Sequence, residues 1–445
     1  MYLTRTVDKF LLEWKNDLRR KPLLLRGARQ VGKSSSVREL SRKFDYFLEV
    51  NFEENKDIHG FFTGNLSPEN ICKNLSLVYD IPVIPGKTLV FFDEIQSCIP
   101  AISSIRFFYE RIPDLHLISA GSLLEFALEE LPSFGVGRIR SLFMYPMSFN
   151  EFLMANELQP LLTAIEEANV NFPLSEPVHK KIISLLKEFL IIGGMPEVVA
   201  KYVENGDLRE CQSVLDDLII SLQADFTKYK QRIPSIRVRK VFESIVYQSG
   251  KKFIYANAVD DANSQQIHEV VEILILAHLV IPVTHTSANG LPLGAESNSK
   301  KRKLMLLDTG VTQRILNLQL SDILLSNDLE VVNKGSIAEQ YAGLELIKNT
   351  SPFQPQQLFY WHREERNSNA EVDYIIQMGN KIIPLEVKSG IRGKMHSLRL
   401  FLSEKKTSYG IRTSLEKYAK YDNILVLPLY ALSDLENEDK PLQSD

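Results

Sequence analysis

GARQVGKS, residues 27–34, lies between the apolar run Pro22-Leu23-Leu24-Leu25 and the helix-forming stretch Val37-Arg38-Glu39-Leu40. The spacing Gly27-x-x-x-x-Gly32-Lys33-Ser34 satisfies the P-loop pattern, with a buried strand before it and a helix after it. Glycines let backbone amides curve around phosphate oxygens, and the helix N-terminus adds the positive end of its dipole. The expected cradle is Gly27, Ala28, Arg29, Gln30, Val31, Gly32, Lys33, Ser34 and Ser35. Lys33 reaches the β- and γ-phosphates in this reading, and Ser34 is a ligand of Mg²⁺. No NKxD tetrad of the kind that reads guanine occurs, so ATP with Mg²⁺ is the expected pair.

A second element belongs with the first. In Leu89-Val90-Phe91-Phe92-Asp93-Glu94, four apolar residues bury a central strand and place a carboxylate at its C-terminal edge, where a doubly wound sheet binds its ligand. Asp93 is therefore expected to hold Mg²⁺ through water, and Glu94 to orient or deprotonate the attacking water. Further strands are expected in DYFLEVNFEE and HLISAG, alternating with helices, which predicts a parallel α/β sheet. Residues 3–20 read as an amphipathic helix. Ser119 and Ser122, after the HLISAG strand, are candidates for a polar γ-phosphate sensor. Arg138 and Arg140 are candidates for an arginine finger.

The bulk numbers bound the rest. At 445 residues the chain predicts two to four domains. Its 52 basic and 56 acidic residues nearly cancel, so global charge neither demands nor excludes nucleic acid. Cys72, Cys98 and Cys211 form no CxxC pair, which predicts buried thiols in a reduced, cytoplasmic compartment. The histidines show no zinc spacing. Asp8, Lys9 and Glu13 interrupt the N-terminus where a signal peptide needs its apolar run, and VVEILILAHLVIPV is too short and too polar to cross a membrane.

From about residue 150 the pattern turns helical, in SEPVHKKIISLLKEFLII and DLRECQSVLDDLIISLQADFTKYK, broken by IIGGMPEVV. Residues 236–308 give helix, helix, strand, polar loop and strand, the order of a winged helix-turn-helix. Lys300, Lys301, Arg302 and Lys303 sit in that loop, at the wing, where phosphate contacts are expected. The acidic Glu269 and Glu272 on the second helix argue against sequence-specific reading, and such modules also serve protein interaction.

EVDYIIQMGNKIIPLEVKSG, 371–390, alternates apolar and polar residues on both sides of a Gly379-Asn380 turn, the signal of a hairpin. If Met378 pairs with Lys381, Asp373 faces Glu386 and Glu371 faces Lys388. All four then share one face of the sheet. An acid followed by Glu-x-Lys is the constellation of the PD-(D/E)XK nuclease superfamily, although Val372 stands where the leading proline is usual. Asp373 and Glu386 bind Mg²⁺ in that reading, Lys388 positions a water, and the helical Glu339 completes the site. A solvated, salt-bridged face is the alternative for the same residues.

GARQVGKS, FFDEIQ, ISAGSLLEF, GRIRSLFMYPMSFNEFL and IIGGMPEVV together resemble the prokaryotic AAA+ ATPases that carry a C-terminal domain of unknown function with a nuclease-like fold. The resemblance implies that Gly194-Met195-Pro196 contacts adenine, with Pro196 in the nucleotide site. The expected architecture is α/β: a P-loop AAA+ core over 1–160, a helical lid over 161–233, a winged helix over 234–328, a PD-(D/E)XK nuclease-like domain over 329–432 and an acidic tail over 433–445. An ATP-hydrolysing protein coupled to a nuclease-like, DNA-binding half is the functional expectation. The alternatives are an ATP-gated switch that binds DNA or protein without cutting, and an assembly module acting as a homo-oligomer or on a protein client.

Overall fold

The computed structural model of the chain describes residues 2–64, 66–129, 131, 137–229, 233–318, 335–364, 369–390 and 395–436. These residues divide into two compact units. The first runs to Tyr145 and takes in Leu276–His278 and Ser351–Pro355; the second holds Pro146–Ile275, Leu279–Thr350 and the chain from Gln356 onward. Apart from Leu276–His278 and Ser351–Pro355, the segments expected as lid, winged helix and C-terminal domain thus fall within the second unit. The expected boundary between the last two, at 328, lies outside the described residues, as does most of the acidic tail.

In the first unit the strands β1 (Leu23–Arg26), β2 (Tyr46–Asn51), β3 (Thr88–Asp93), β4 (His116–Ala120) and β5 (Arg140–Phe143) form a wholly parallel sheet in the order β2-β3-β4-β1-β5. Every residue of β3 and β4 is buried, which is why these strands read as unbroken apolar runs rather than alternating ones. Phe52, Phe62 and Phe92 meet edge to face above the sheet, with centroids 5.3 to 5.7 Å apart, and Phe108 extends the cluster. Such pairs add to plain area burial because the positive ring edge meets a negative face. The first helix covers Val7–Asn16 and is shorter than 3–20. Asp17 turns to extended backbone, and the Trp14 indole donates to the Lys21 carbonyl at 2.7 Å, folding the chain back toward β1.

In the second unit the helices Glu176–Ile192, Pro196–Asn205 and Leu208–Ala224 bury one stripe each, Ile182, Leu186 and Phe189 in the first case. The remaining strands are β6 (Val280–Thr286), β7 (Ser297–Leu306), β8 (Leu358–His362), β9 (Glu371–Met378), β10 (Lys381–Val387), β11 (Gly410–Ser414), β12 (Ala419–Tyr421) and β13 (Ile424–Pro428). They make one eight-stranded sheet in the order β12-β13-β11-β10-β9-β8-β6-β7. The helices Ser235–Tyr247 and Ser264–Leu276 precede β6 and β7 in the expected order. The hairpin β6–β7, however, is no free-standing wing, because β6 pairs in parallel with β8 over Val283–His285. Nor do Lys300, Lys301, Arg302 and Lys303 lie in a loop: all four are part of β7. Among the described residues no helix is long and apolar enough to cross a membrane.

Candidate functional site

The loop after β1 is built around two backbone positions that only glycine fills without strain. Gly27 has φ +133°, and a Cβ there would stand 2.2 Å from the Met144 carbonyl oxygen. Gly32, at φ +97°, starts the helix Lys33–Ser41. Between them Ala28 and Val31 are buried, while Gln30 stands exposed. Arg5 fixes the loop from outside by donating to the Val31 carbonyl at 2.9 Å. The Lys33 ammonium is folded into the loop and donates to the carbonyls of Gly27 and Ala28 at 2.8 and 2.7 Å. Burial pulls its pKa down to about 8, against the pull of Glu94 and Asp93. Ser34 follows, half-buried, and Ser35 faces outward at the first turn.

Ser34 Oγ donates to Asp93 Oδ2 at 2.8 Å, so the loop serine and the β3 carboxylate meet across the C-terminal edge of the sheet. Burial raises the Asp93 pKa, with the Ser34 hydrogen bond opposing. A hydroxyl and a buried carboxylate are hard oxygen donors of the kind Mg²⁺ takes beside phosphate, and the pair fits that ion. Glu94 turns in left-handed backbone, φ +49°. Its Oε2 accepts from Gln96 Nε2 at 2.5 Å and from Ser122 Oγ at 3.1 Å. Arg29 Nε donates to the same Ser122 hydroxyl at 3.0 Å. The structure thereby joins the loop, the β3 acids and Ser122 in one chain of hydrogen bonds. Ser119 Oγ is fully buried and has no hydrogen-bond partner among the described residues.

The two arginines lie elsewhere. Arg140 aligns with Leu23 at the start of β1, on the edge opposite the loop, and its guanidinium stacks 3.5 Å from the Phe353 ring centroid. Arg138 precedes β5 and pairs with Glu110 near the end of the helix Ile99–Arg111. Neither reaches this chain's own loop. A further charged group at the end of β1 has no spacing signal: Arg26 is paired with Glu125, which also meets His278 Nε2 at 3.1 Å. Burial alone would raise Glu125, but the bonds from His278 and Arg26 hold it down to about 2.

Gly194-Met195-Pro196 belongs to the second unit, where packing accounts for it. A Cβ on Gly194 would stand 2.1 Å from the Met147 carbonyl oxygen, its amide donates to the buried Asp308 at 2.6 Å, and Pro196 opens the helix Pro196–Asn205.

The carboxylates of the C-terminal sheet also converge, in the expected register: Lys381 faces Met378 and Leu385 faces Tyr374. Asp373 Oδ2 accepts from the Val387 amide at 2.8 Å, and Lys388 Nζ donates to Glu386 Oε1 at 2.6 Å. Glu386 Oε2 is buried without a partner among the described residues, and burial pushes this carboxyl up to about 7. Glu339, on the helix Ser336–Lys348, comes in from the side as expected, but it does not face open space. Lys303 Nζ lies 2.7 Å from Glu339, 2.5 Å from Glu371 and 3.7 Å from Asp373, with its side chain only 3% exposed. Among the described residues no group of three or more His, Cys, Asp or Glu is placed to hold a metal ion. Mg²⁺ shared by Glu339 and Asp373 does not fit this arrangement, because the Lys303 ammonium already stands between those two carboxylates. The basic run is corrected by the same contacts: Arg302 is buried against Glu272 and Tyr255, Lys301 pairs with Glu364, and Lys300 alone is left exposed without an ion pair among the described residues.

Comparison with known proteins divides the chain in a related way. Residues 19–153 match the model of an AAA domain. Residues 183–322 and 334–432 match models of two domains of unknown function, DUF8612 and DUF4143. No curated protein matches the chain. Among solved structures it is similar to the ORC1 protein of Aeropyrum pernix in complex with DNA, at 10% identity and TM-score 0.29 over 70% of this chain and 90% of that one. Drosophila ORC bound to DNA matches at 13% identity and TM-score 0.24, over 70% and 85%. Unliganded Pif1 from Bacteroides sp matches at 14% identity and TM-score 0.22, over 38% and 50%. Likeness at that level carries no functional argument. The family match, the loop after β1 and Asp93 on β3 together support an AAA-type P-loop ATPase domain over residues 19–153.

Proposed function

We propose that the first unit binds ATP with Mg²⁺ and hydrolyses it, and that the second unit is a nucleic-acid-binding arm answering to nucleotide state. The contact between Ser34 and Asp93 carries the first half of this reading, since it brings the two expected Mg²⁺ donors to one place beside Lys33. Phosphate oxygens replace the Gly27 and Ala28 carbonyls as partners of the Lys33 ammonium, and the loop amides take the remaining oxygens. Ser34 and Asp93 would hold Mg²⁺ there, and the ion would supply neutralisation of charge on the β- and γ-phosphates. Glu94 orients the attacking water and accepts its proton, while Ser122, bonded to both Glu94 and Arg29, senses the γ-phosphate. Steady-state hydrolysis by Glu94→Gln should fall by about a hundredfold or more with binding retained, whereas Lys33→Ala should lose binding as well. Unchanged turnover in pure Lys33→Ala protein would overturn the assignment.

A cleft of about 540 Å³ in the second unit supports the other half. Lys240, Lys251 and Lys252 line it together with Glu243 and Asp260, Lys240 lies 3.7 Å from Asp261, and Tyr247 stands 67% exposed at its wall. Ammonium groups for phosphates beside an exposed aromatic for stacking are what a single strand of nucleic acid requires. The expected behaviour is a salt-sensitive shift of plasmid or single-stranded DNA in a gel, without nicking in Mn²⁺ and ATP, weakened on the order of tenfold in Lys251→Glu/Lys252→Glu. No shift at low salt would favour a protein client. Nicks that vanish in Asp373→Ala would restore the nuclease reading.

A further inference from the structure

We propose that Lys303 is a built-in cation: its ammonium fills the place of a divalent metal among Glu339, Glu371 and Asp373, so the C-terminal carboxylate cluster is closed without metal and locks the β6–β7 hairpin to the rest of the sheet. The inference rests on the geometry of the cluster and stands whether or not the first unit hydrolyses ATP.

Three observations carry it. Lys303 starts on β7, at the end of the sheet, and its side chain crosses toward β9 over the Tyr360 ring of β8, Nζ 5.3 Å from the centroid. Its three acidic neighbours come from two further elements, Glu339 from the helix Ser336–Lys348 and Glu371 and Asp373 from β9, so one ammonium ties three separate pieces of chain. Neighbouring backbone fixes the cluster as well: the Val387 amide covers Asp373 Oδ2 at 2.8 Å, and the Tyr374 hydroxyl of β9 donates to the main-chain carbonyl of Glu339 at 2.8 Å, tying the helix Ser336–Lys348 to that strand.

A buried ammonium among carboxylates is retained only if its partners repay its lost hydration, and removing it leaves uncompensated negative charge. A divalent ion at the same place would need the Lys303 ammonium to leave all three carboxylates. Among Glu339, Glu371 and Asp373 the place of a cation is therefore taken, while Glu386, whose Oε2 has no partner among the described residues, stands outside the three contacts of Lys303. The expected role of the cluster is mechanical: it holds β7 to β9.

The test uses the full chain without nucleotide, so that the P-loop does not compete for metal. Mn²⁺ electron paramagnetic resonance of wild-type protein should show only the free ion, and its unfolding midpoint should not move with Mn²⁺. Lys303→Met should lower the midpoint by on the order of 10 °C, and adding Glu339→Gln should recover part of the loss by removing a stranded charge. Where Lys303→Met yields no folded protein, the double variant still should. Wild-type Mn²⁺ binding that disappears in Asp373→Asn, an unmoved midpoint in Lys303→Met, or a double variant no better than the single one would each overturn the proposal.

Discussion

The two polar sites of this chain hold a buried lysine in opposite ways. At the P-loop the Lys33 ammonium rests on two neutral carbonyls of its own loop, partners it can exchange for phosphate at little cost. In the C-terminal sheet the Lys303 ammonium rests among three carboxylates from other elements, and no incoming anion could compete for it. The first lysine is poised for a ligand and the second is spent on the fold. Side-chain chemistry is the same in both; the charge of the partners decides which site can act.

The largest effect that sharpens this contrast is expected from a single methyl group. Gly27→Ala places a Cβ 2.2 Å from the Met144 carbonyl, in backbone that side chains rarely adopt, so the loop must shift. Nucleotide binding should be lost, together with roughly 1–3 kcal/mol of stability from the strain. Equilibrium binding of a fluorescent ATP analogue and chemical denaturation of the same protein measure both. Retained affinity would mean that the loop tolerates displacement, and that the cradle does not depend on its backbone path.

What the sequence made legible follows from how far each signal reaches. The P-loop is read within eight residues, and its strand and helix flank it directly, so β1 and the helix Lys33–Ser41 could be placed at once. The β9–β10 register was equally accessible, because alternation around Gly379-Asn380 fixes which residues face each other. Lys303 was not accessible. Its partners lie 36 to 70 positions further along, and a run of four basic residues has no alternation to mark a strand, so it read as a solvated wing. Arg140–Phe143 escaped for the same reason: four mixed residues become β5 only by pairing with β1. Arg26, Glu125 and His278, brought together from three distant positions, left no trace that spacing could show. Motifs announce a site that works through its own backbone, whereas a site assembled from separated charges waits for the fold.

The smallest expected effect distinguishes the sites by pH. Glu386 is raised by burial from an ordinary carboxyl value of 4.5 to about 7, so the folded chain keeps a proton that the unfolded chain has already released. That contribution is fully present below 4.5 and is lost as pH rises through 7. Lys33 runs the other way. Burial lowers it from 10.5 to about 8, so its contribution is fully present above 10.5 and is lost as pH falls through 8. Between pH 5 and 8 the carboxylate cluster therefore sets the slope, and stability should decline by about 2 kcal/mol as pH rises. Glu386→Gln keeps the shape of the side chain and cannot titrate, so its decline over that window should be shallower than that of the wild type, with Glu339, pushed up to about 8 by burial, supplying what remains, while Lys33→Met should leave the slope there unchanged and flatten only the alkaline side. An identical slope in wild type and Glu386→Gln would show that no proton is stored at Glu386, and that the decline belongs to Glu339 instead.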